Sequence, residues 1–238
     1  MKIKPIIEQD INGIWKKYNA LTKNIPPLSV SSIPSDAIIF IGINPSLGDD
    51  DRKELELRQD KSIDFYDLPS EDSDDIQHYK YFKKFYEINK RLETPIGHLD
   101  VLYMRETQQS TVKDLFKTEE GIKFLYEQLL VTRKVIDEII AKSNPKAFVV
   151  NNTLARDFLG RFKNFNKYGN DNHYPEIEKH WINYLFDWDD KLGTYILNGT
   201  KIPFFFTSML TGQRALDNGS FDRLIWHLDY AIKKGEDS

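Results

Sequence analysis

The sequence predicts an α/β protein, a three-layer α/β/α sandwich around a mostly parallel core sheet of four strands. Three observations predict it. Four short apolar runs, Ile38 to Ile41, Leu99 to Met104, Ala147 to Val150 and Pro203 to Phe206, are rich in β-branched and aromatic residues. Apart from Asp100 in the second run, they are apolar on both faces rather than alternating, as strands covered by helices on both sides are. The segments between them repeat apolar residues every three or four positions, the period of an amphipathic helix. Strand and helix in alternation imply a sheet sheathed on both faces. A chain of 238 residues, 40% hydrophobic and with 15 Phe, 12 Tyr and 4 Trp, can fill the core of one large domain. Residues 1–238 therefore read as a single domain with an acidic insertion at about 48–77.

The elements follow in order. Pro5 to Leu21 is a helix, with Ile7, Ile11, Ile14, Trp15 and Tyr18 on one face. Asn24 to Asp36, rich in Pro and Ser, is a loop. Ile38 to Ile41 is the first strand, and Pro45, which cannot donate to a ladder, ends it. Leu47 to Gln77 is acidic and turn-rich, a surface insertion. Tyr79 to Leu92 is a helix whose Tyr79, Phe82, Phe85, Tyr86 and Leu92 face the core. Lysines interleave with its aromatics, which fits a solvated outer face or a surface that stacks bases. Leu99 to Met104 is the second strand. Thr118 to Lys142 is a long helix with Ile122, Leu125, Leu129, Ile136 and Ile140 in register, stopped by Asn144-Pro145. Ala147 to Val150 is the third strand, and Asn152 caps a helix from Thr153 to Arg161. After a polar loop, Gly169 to His173, Pro175 suits the first turn of a helix ending near Phe186. Thr194 to Leu197 and Lys201 to Phe206 flank Asn198-Gly199, a hairpin signal, and Pro203 to Phe206 is the fourth core strand. Ser208 to Asn218 is a loop, and Ser220 caps a last helix, Phe221 to Lys233.

Composition removes several function classes. There is no cysteine, which excludes disulfides, thiolate metal sites, iron–sulfur clusters and cysteine nucleophiles together. Met1-Lys2-Ile3-Lys4-Pro5 forms no apolar signal core, and no run approaches the ~20 apolar residues that span a bilayer. A cytoplasmic protein with no membrane partner is expected. The five histidines (His78, His98, His173, His180 and His227) are scattered, so neither a metal site nor a cofactor is expected. No Gly-x-Ser-x-Gly elbow, phosphate-binding glycine loop or dinucleotide fingerprint occurs. The net charge is −4, but twelve Asp/Glu against four Lys/Arg between Asp49 and Asp75 give that stretch −8 and leave the rest at +4. Acid concentrated in one segment leaves room for a basic face elsewhere.

The stretch richest in chemistry is Ile38-Ile39-Phe40-Ile41-Gly42-Ile43-Asn44-Pro45-Ser46. Gly42 lets the backbone turn or approach a ligand closely. Asn44 falls just past the carboxyl end of a core strand, where open α/β sheets bind their ligands. An amide there can orient a water and contact a base edge; its plainer role is to start the Asn-Pro turn. Gly42-Ile43-Asn44-Pro45-Ser46 resembles the first motif of the uracil-DNA glycosylase superfamily, most closely the Gly-Ile-Asn-Pro form of its mismatch-specific branch. The order of elements from about Ala37 to Leu228 fits as well. Pro145 to Val150, followed by a polar turn and Ala155, looks like that family's third strand and helix. The resemblance implies a uracil-DNA glycosylase-like fold. Its catalytic motif follows the first core strand, a base-reading residue follows the second, and a second motif follows the last.

On that resemblance, Asn44 is the catalytic residue. An amide is no base at neutral pH, but it can hold a water in line with the sugar's anomeric carbon while the base leaves. Gly42, Ile43, Pro45 and Ser46 line the same loop and offer backbone groups to a base or phosphate. Arg105 and Glu106 occupy the base-reading region, or form a local ion pair; the family's uracil-reading Asn is not found beside them. Asn151, after the third strand, completes the base-binding set. Ser208, Met209, Leu210, Gln213 and Arg214 follow the fourth strand and form the DNA-binding set. Met209 or Leu210 would be a wedge that fills the base stack, or else core, and Gln213 and Arg214 would hold a phosphate. The family's His-Pro-Ser motif is replaced here by Thr207-Ser208-Met209, without the His and the Pro. The implied activity is excision of uracil or another damaged or mismatched base flipped out of single-stranded or mismatched DNA. Two other readings stay open. One is a non-catalytic member of the fold that binds nucleic acid, nucleotide or protein, which the phosphate-repelling acidic segment favours. The other is a hydrolase of small nucleosides.

Overall fold

The computed structural model of the protein describes residues 1–69, 80–162, 182–212 and 215–236. Along the chain its strands are β1 (Leu28–Val30), β2 (Ile38–Gly42), β3 (Asp64–Tyr66), β4 (Ile96–Asp100), β5 (Ala147–Val150), β6 (Gly160–Phe162), β7 (Tyr184–Asp189), β8 (Thr194–Leu197) and β9 (Pro203–Phe206). Its helices are α1 (Lys4–Lys17), the single turn α2 (Asn19–Thr22), α3 (Asp49–Leu57), α4 (Lys80–Leu92), α5 (Gln109–Asp114), α6 (Glu119–Lys142), α7 (Thr153–Leu159) and α8 (Asn218–Glu236).

Four strands run parallel in the spatial order β4-β2-β5-β9. The sheet continues antiparallel through β8 and β7 and ends in β6, parallel to β7. The chain leaves β2 for β4 on one side and returns to β5 on the other. The loops after β2 and β5 therefore diverge and open a crevice at the carboxyl ends of those two strands.

Side chains alternate across a strand, so each core strand serves two layers. Ile39, Ile41, Phe148, Val150 and Phe204 join a core with Ile7 and Ile11 of α1, Phe124, Leu129 and Ile136 of α6, and Phe158 of α7. Ile38, Phe40, Ala147, Val149 and Phe205 join another with Phe82, Phe85 and Ile88 of α4, and Phe221, Ile225 and Leu228 of α8. Phe40 and Phe85 stack with centroids 4.1 Å apart. Helices thus cover both faces of a mostly parallel sheet, which is the α/β arrangement the change of period predicts.

Several elements coincide with the sequence reading. β5 has its predicted limits, and Asn198-Gly199 joins β8 to β9, with Gly199 at φ +81°, where glycine carries no steric cost. Asn152 caps α7 by accepting from the Leu154 and Ala155 amides at 2.9 and 3.2 Å.

Others are corrected. The Pro5–Leu21 helix breaks at Tyr18 into α1 and α2. The Asn24–Asp36 loop contains β1, and the acidic insertion contains α3 and β3, which pairs with β1. The insertion is pinned there because Ile63 is buried and its amide donates to Asn12 Oδ1 at 2.8 Å. The second core strand is Ile96–Asp100, not Leu99–Met104; Val101 to Tyr103 are buried but lie past the ladder. Gly97 and the polar His98 and Asp100 hide this strand from an apolar-run search. Gly97 is there for space, since a Cβ would stand 2.8 Å from Ile39 Cδ1. In α6, Ile122 and Ile140 are only half-buried, and Phe124, Val135 and Ile139 take core positions. α7 stops at Leu159, and Tyr184 to Phe186, expected to close a helix, lie in β7. The remainder of that helix, the Gly169–His173 loop and Tyr79 lie outside the described residues. α8 starts before Ser220, and Asp217 is the residue that accepts from the Ser220 amide, at 2.9 Å. No helix among the described residues is long and apolar enough to cross a membrane.

Candidate functional site

Beyond the ladder, the loop after β2 and the segment after β4 continue side by side. Val101 and Leu102 donate their amides to the Gly42 and Ile43 carbonyls at 3.2 and 2.9 Å, and Glu106 donates to Pro45 O at 2.9 Å. Thr107 Oγ1 accepts from the Leu47 amide at 3.1 Å and lies 3.3 Å from Ser46 Oγ. This pairing sets Asn44. Its Nδ2 donates to the carbonyls of Pro45, at 3.0 Å, and Glu106, at 2.5 Å. Both bonds fix the orientation of a half-buried amide and leave Oδ1 as its free acceptor among the described residues.

Under this loop lies a row of polar groups that the strand register assembles. Gly42 pairs with Asp100 across β2 and β4, and Asn151 follows β5 in the next position. A Cβ on Gly42 would stand 2.3 Å from Asp100 Oδ1 and 3.3 Å from the Tyr81 hydroxyl. The glycine therefore makes the space that the Asp100 carboxyl occupies. Asn151 Nδ2 donates to the Tyr81 hydroxyl at 3.2 Å. His98, two residues before Asp100 and on the same strand face, is enclosed by the rings of Phe82, Tyr81 and Phe85 at 5.4, 5.6 and 5.8 Å. Its Nδ1 is 2.7 Å from the Tyr66 hydroxyl, and its Nε2 lies 3.8 Å from Asp100 Oδ1.

Burial dominates the electrostatics. It pushes the Asp100 carboxyl up to about 8 and the His98 imidazole down to about 3. At neutral pH the first keeps its proton and the second has none, so the row is uncharged. It is also incompletely paired: His98 Nε2 and Asn151 Oδ1 are buried without a hydrogen-bond partner. Buried polar atoms seldom stay unpaired. A neutral carboxylic acid offers one donor and one acceptor. Together these groups match a flat, neutral, polar ligand edge better than a phosphate.

No protein-family model, curated protein or solved structure matches the chain. Its site is therefore read from its own geometry.

The structure brings some predicted site residues together and keeps others occupied. Gly42, Ile43, Asn44, Pro45, Ser46 and Asn151 lie together at the carboxyl ends of β2 and β5. Arg105 pairs with Asp64, which Arg58 also holds at 2.9 Å. Burial lowers the Arg105 guanidinium from its usual range while Asp64 opposes the shift. The Glu106 carboxylate accepts the Thr107 and Gln108 amides at 2.9 and 3.1 Å and faces Arg52 at 3.5 Å. The side chains of Arg105 and Glu106 thus form local pairs, the alternative to base reading, and Glu106 serves the site through its carbonyl. Of the predicted DNA-binding set, Ser208 and Met209 are exposed on the loop after β9, whereas Leu210 is 2% exposed and belongs to the core rather than to a wedge. Gln213 and Arg214 lie outside the described residues. β9 and β2 are separated only by β5, so both loops leave the same sheet edge about 10 Å apart. Among the described residues no group of three or more His, Cys, Asp or Glu is placed to hold a metal ion.

Asp100 and His98 were missed by sequence reasoning, and Tyr66 and Tyr81 were not read as hydrogen-bonding partners. A signal existed: Ile96, His98 and Asp100 alternate with Gly97 and Leu99, and two polar residues on one face of a short apolar strand call for partners.

Proposed function

We propose that the chain hydrolyses N-glycosidic bonds, with a base flipped out of DNA as substrate, in the manner of a uracil-DNA glycosylase-like enzyme. The supporting observation is the Asn44 amide, held through Nδ2 by two backbone carbonyls so that Oδ1 is presented at the switch point of the sheet. Oδ1 accepts a hydrogen bond from the attacking water and holds its oxygen toward the anomeric carbon. The oxygen–carbon bond forms as the carbon–nitrogen bond breaks, the base departs with the bonding electrons, and the proton that the added water sheds passes through solvent to the departed base. Positioning of this kind, with no strong base, suits a reaction whose transition state resembles an oxocarbenium ion. The row Asp100, Asn151 and Tyr81 receives the base. Asp100, protonated at neutral pH, donates to an oxygen of the departing base and takes the part of the missing second-motif histidine.

One observation favours a second reading of the substrate. α3, net acidic by sequence with five Asp or Glu against Arg52 and Lys53, begins directly after the motif loop at Gly48. Acid so close to the crevice repels a phosphate backbone and suits a free nucleoside, which needs the same anomeric chemistry without a groove. The test is a single-turnover assay with excess protein on two substrate sets: oligonucleotides, single- and double-stranded, carrying uracil, hypoxanthine, xanthine or a mismatch, and the corresponding free nucleosides. Abasic sites in the oligonucleotides support the DNA reading. Release of base from nucleosides alone selects the second. Neither from folded protein overturns both and leaves a binding role.

A further inference from the structure

A separate cavity of about 330 Å³ lies between the end of α1, the start of α3 and the segment from Met104 to Thr118. Asn44, Asp100 and Asn151 do not line it. Its volume is at the lower end of the range of small-molecule sites. The walls are apolar, from Trp15, Ile25, Met104 and Leu115, and the Trp15 indole N–H is already used, donating to Ile25 O at 2.8 Å. Such walls gain from an apolar ligand body.

The charged groups around it are unequal. Lys23, Arg52 and Arg105 line it against Glu106 and Asp114. Both carboxylates are engaged: Glu106 with Arg52 and two backbone amides, Asp114 with Lys117 at 2.7 Å. Lys23 has no ion pair among the described residues and stands exposed, held by a left-handed backbone (φ 51°) at the end of α2. Arg105 pairs with Asp64 through Nη2, but its Nε is buried without a partner. The cationic donors thus outnumber the acceptors they already serve, and a buried N–H is left over.

We propose that this cavity binds a small organic anion with an apolar, ring-sized body: the body against Trp15, Met104 and Leu115, the anionic group toward Lys23, Arg52 and Arg105. The site is distinct from the crevice and does not depend on the hydrolytic reading. The chemistry does not distinguish a carboxylate from a phosphate monoester, and both are included in the test.

The chain has three methionines, Met1, Met104 and Met209, and only Met104 lines the cavity. Full-length protein labelled with ¹³C-methyl methionine is titrated with phenylacetate and with phenyl phosphate, and in parallel with 2-phenylethanol and phenethylammonium. Millimolar affinity is enough to read. A saturable shift of the Met104 methyl with phenylacetate, phenyl phosphate or both is expected, weaker with the alcohol and absent with the ammonium ion. The Met1 and Met209 methyls stay in place. Lys23→Glu, an exposed change that leaves the fold intact, weakens anion binding several-fold. The proposal is overturned by an unmoved Met104 methyl at saturating anion, by an equal response to the ammonium ion, or by anion binding unchanged in Lys23→Glu.

Discussion

Replacing Asp100 by Asn keeps the side chain's shape and removes its titration. Burial holds the Asp100 carboxyl up at about 8 and the His98 imidazole down at about 3, against roughly 3.9 and 6.5 in an unfolded chain. From about pH 4 to 8 the folded protein holds one more proton at Asp100 than the unfolded chain, so this group's contribution falls as pH rises. From about pH 3 to 6.5 the unfolded chain holds one more proton at His98, so that contribution rises with pH. The two cancel from about pH 4 to 6.5, and only Asp100 acts from about 6.5 to 8. At about 1.36 kcal/mol per pH unit, the wild type loses about 2 kcal/mol across that last window. For a urea slope of about 2 kcal/mol/M, that is a midpoint lower by about 1 M. Urea unfolding followed by tryptophan fluorescence at pH 6.5, 7, 7.5 and 8 reads it directly. Asp100→Asn should lose this fall while the wild type keeps it. Parallel curves for the two proteins would mean that Asp100 is already ionised in the fold at pH 6.5, and the neutral row would be refuted.

Gly42→Ala places a methyl 2.3 Å from Asp100 Oδ1 and should cost about 1–3 kcal/mol by overpacking, read as a lower urea midpoint. Asn152→Ala removes the acceptor for the Leu154 and Ala155 amides and should cost about 1 kcal/mol, with Asn152→Ser restoring most of it. Asp64→Ala leaves Arg58 and the mostly buried Arg105 facing each other. It should cost about 1–3 kcal/mol at low ionic strength, with the deficit shrinking as salt screens the repulsion.

The fold was legible where local pattern and tertiary role agree. β2 and β5 are fully buried, all-apolar strands, and an apolar-run search finds them without help. The Asn198-Gly199 hairpin and the Asn152 cap are short-range chemistry, complete within a few residues. β4 was displaced by three residues at its start and four at its end because its register is set by distant partners: Gly97 yields to Ile39, and His98 and Asp100 are polar residues that β2, α4 and Tyr66 enclose. β1 and β3 escaped notice because three-residue strands carry almost no periodicity, and the acid around Asp64 resembles a solvated loop. The candidate site divided along the same line. Asn44 was legible as a turn amide at a strand end. That its Nδ2 is held by Glu106 O, 62 residues away, and that Asp100 fills the space over Gly42, are consequences of strand order and register that no single segment contains. Arg105 and Glu106 looked like base readers because the resemblance puts that role after the second strand, and their partners Asp64 and Arg52 sit in the acidic insertion.

The measurement that bears most directly on the account is the single-turnover rate of base release by wild type and by Asn44→Ala, on whichever substrate the wild type cleaves. Unfolding curves of the two are compared first, because Asn44 also ties two loops. The account predicts a folded variant whose release rate is lower by about 100-fold or more, the effect of losing the group that positions the water. A folded Asn44→Ala protein that releases base at the wild-type rate would contradict it.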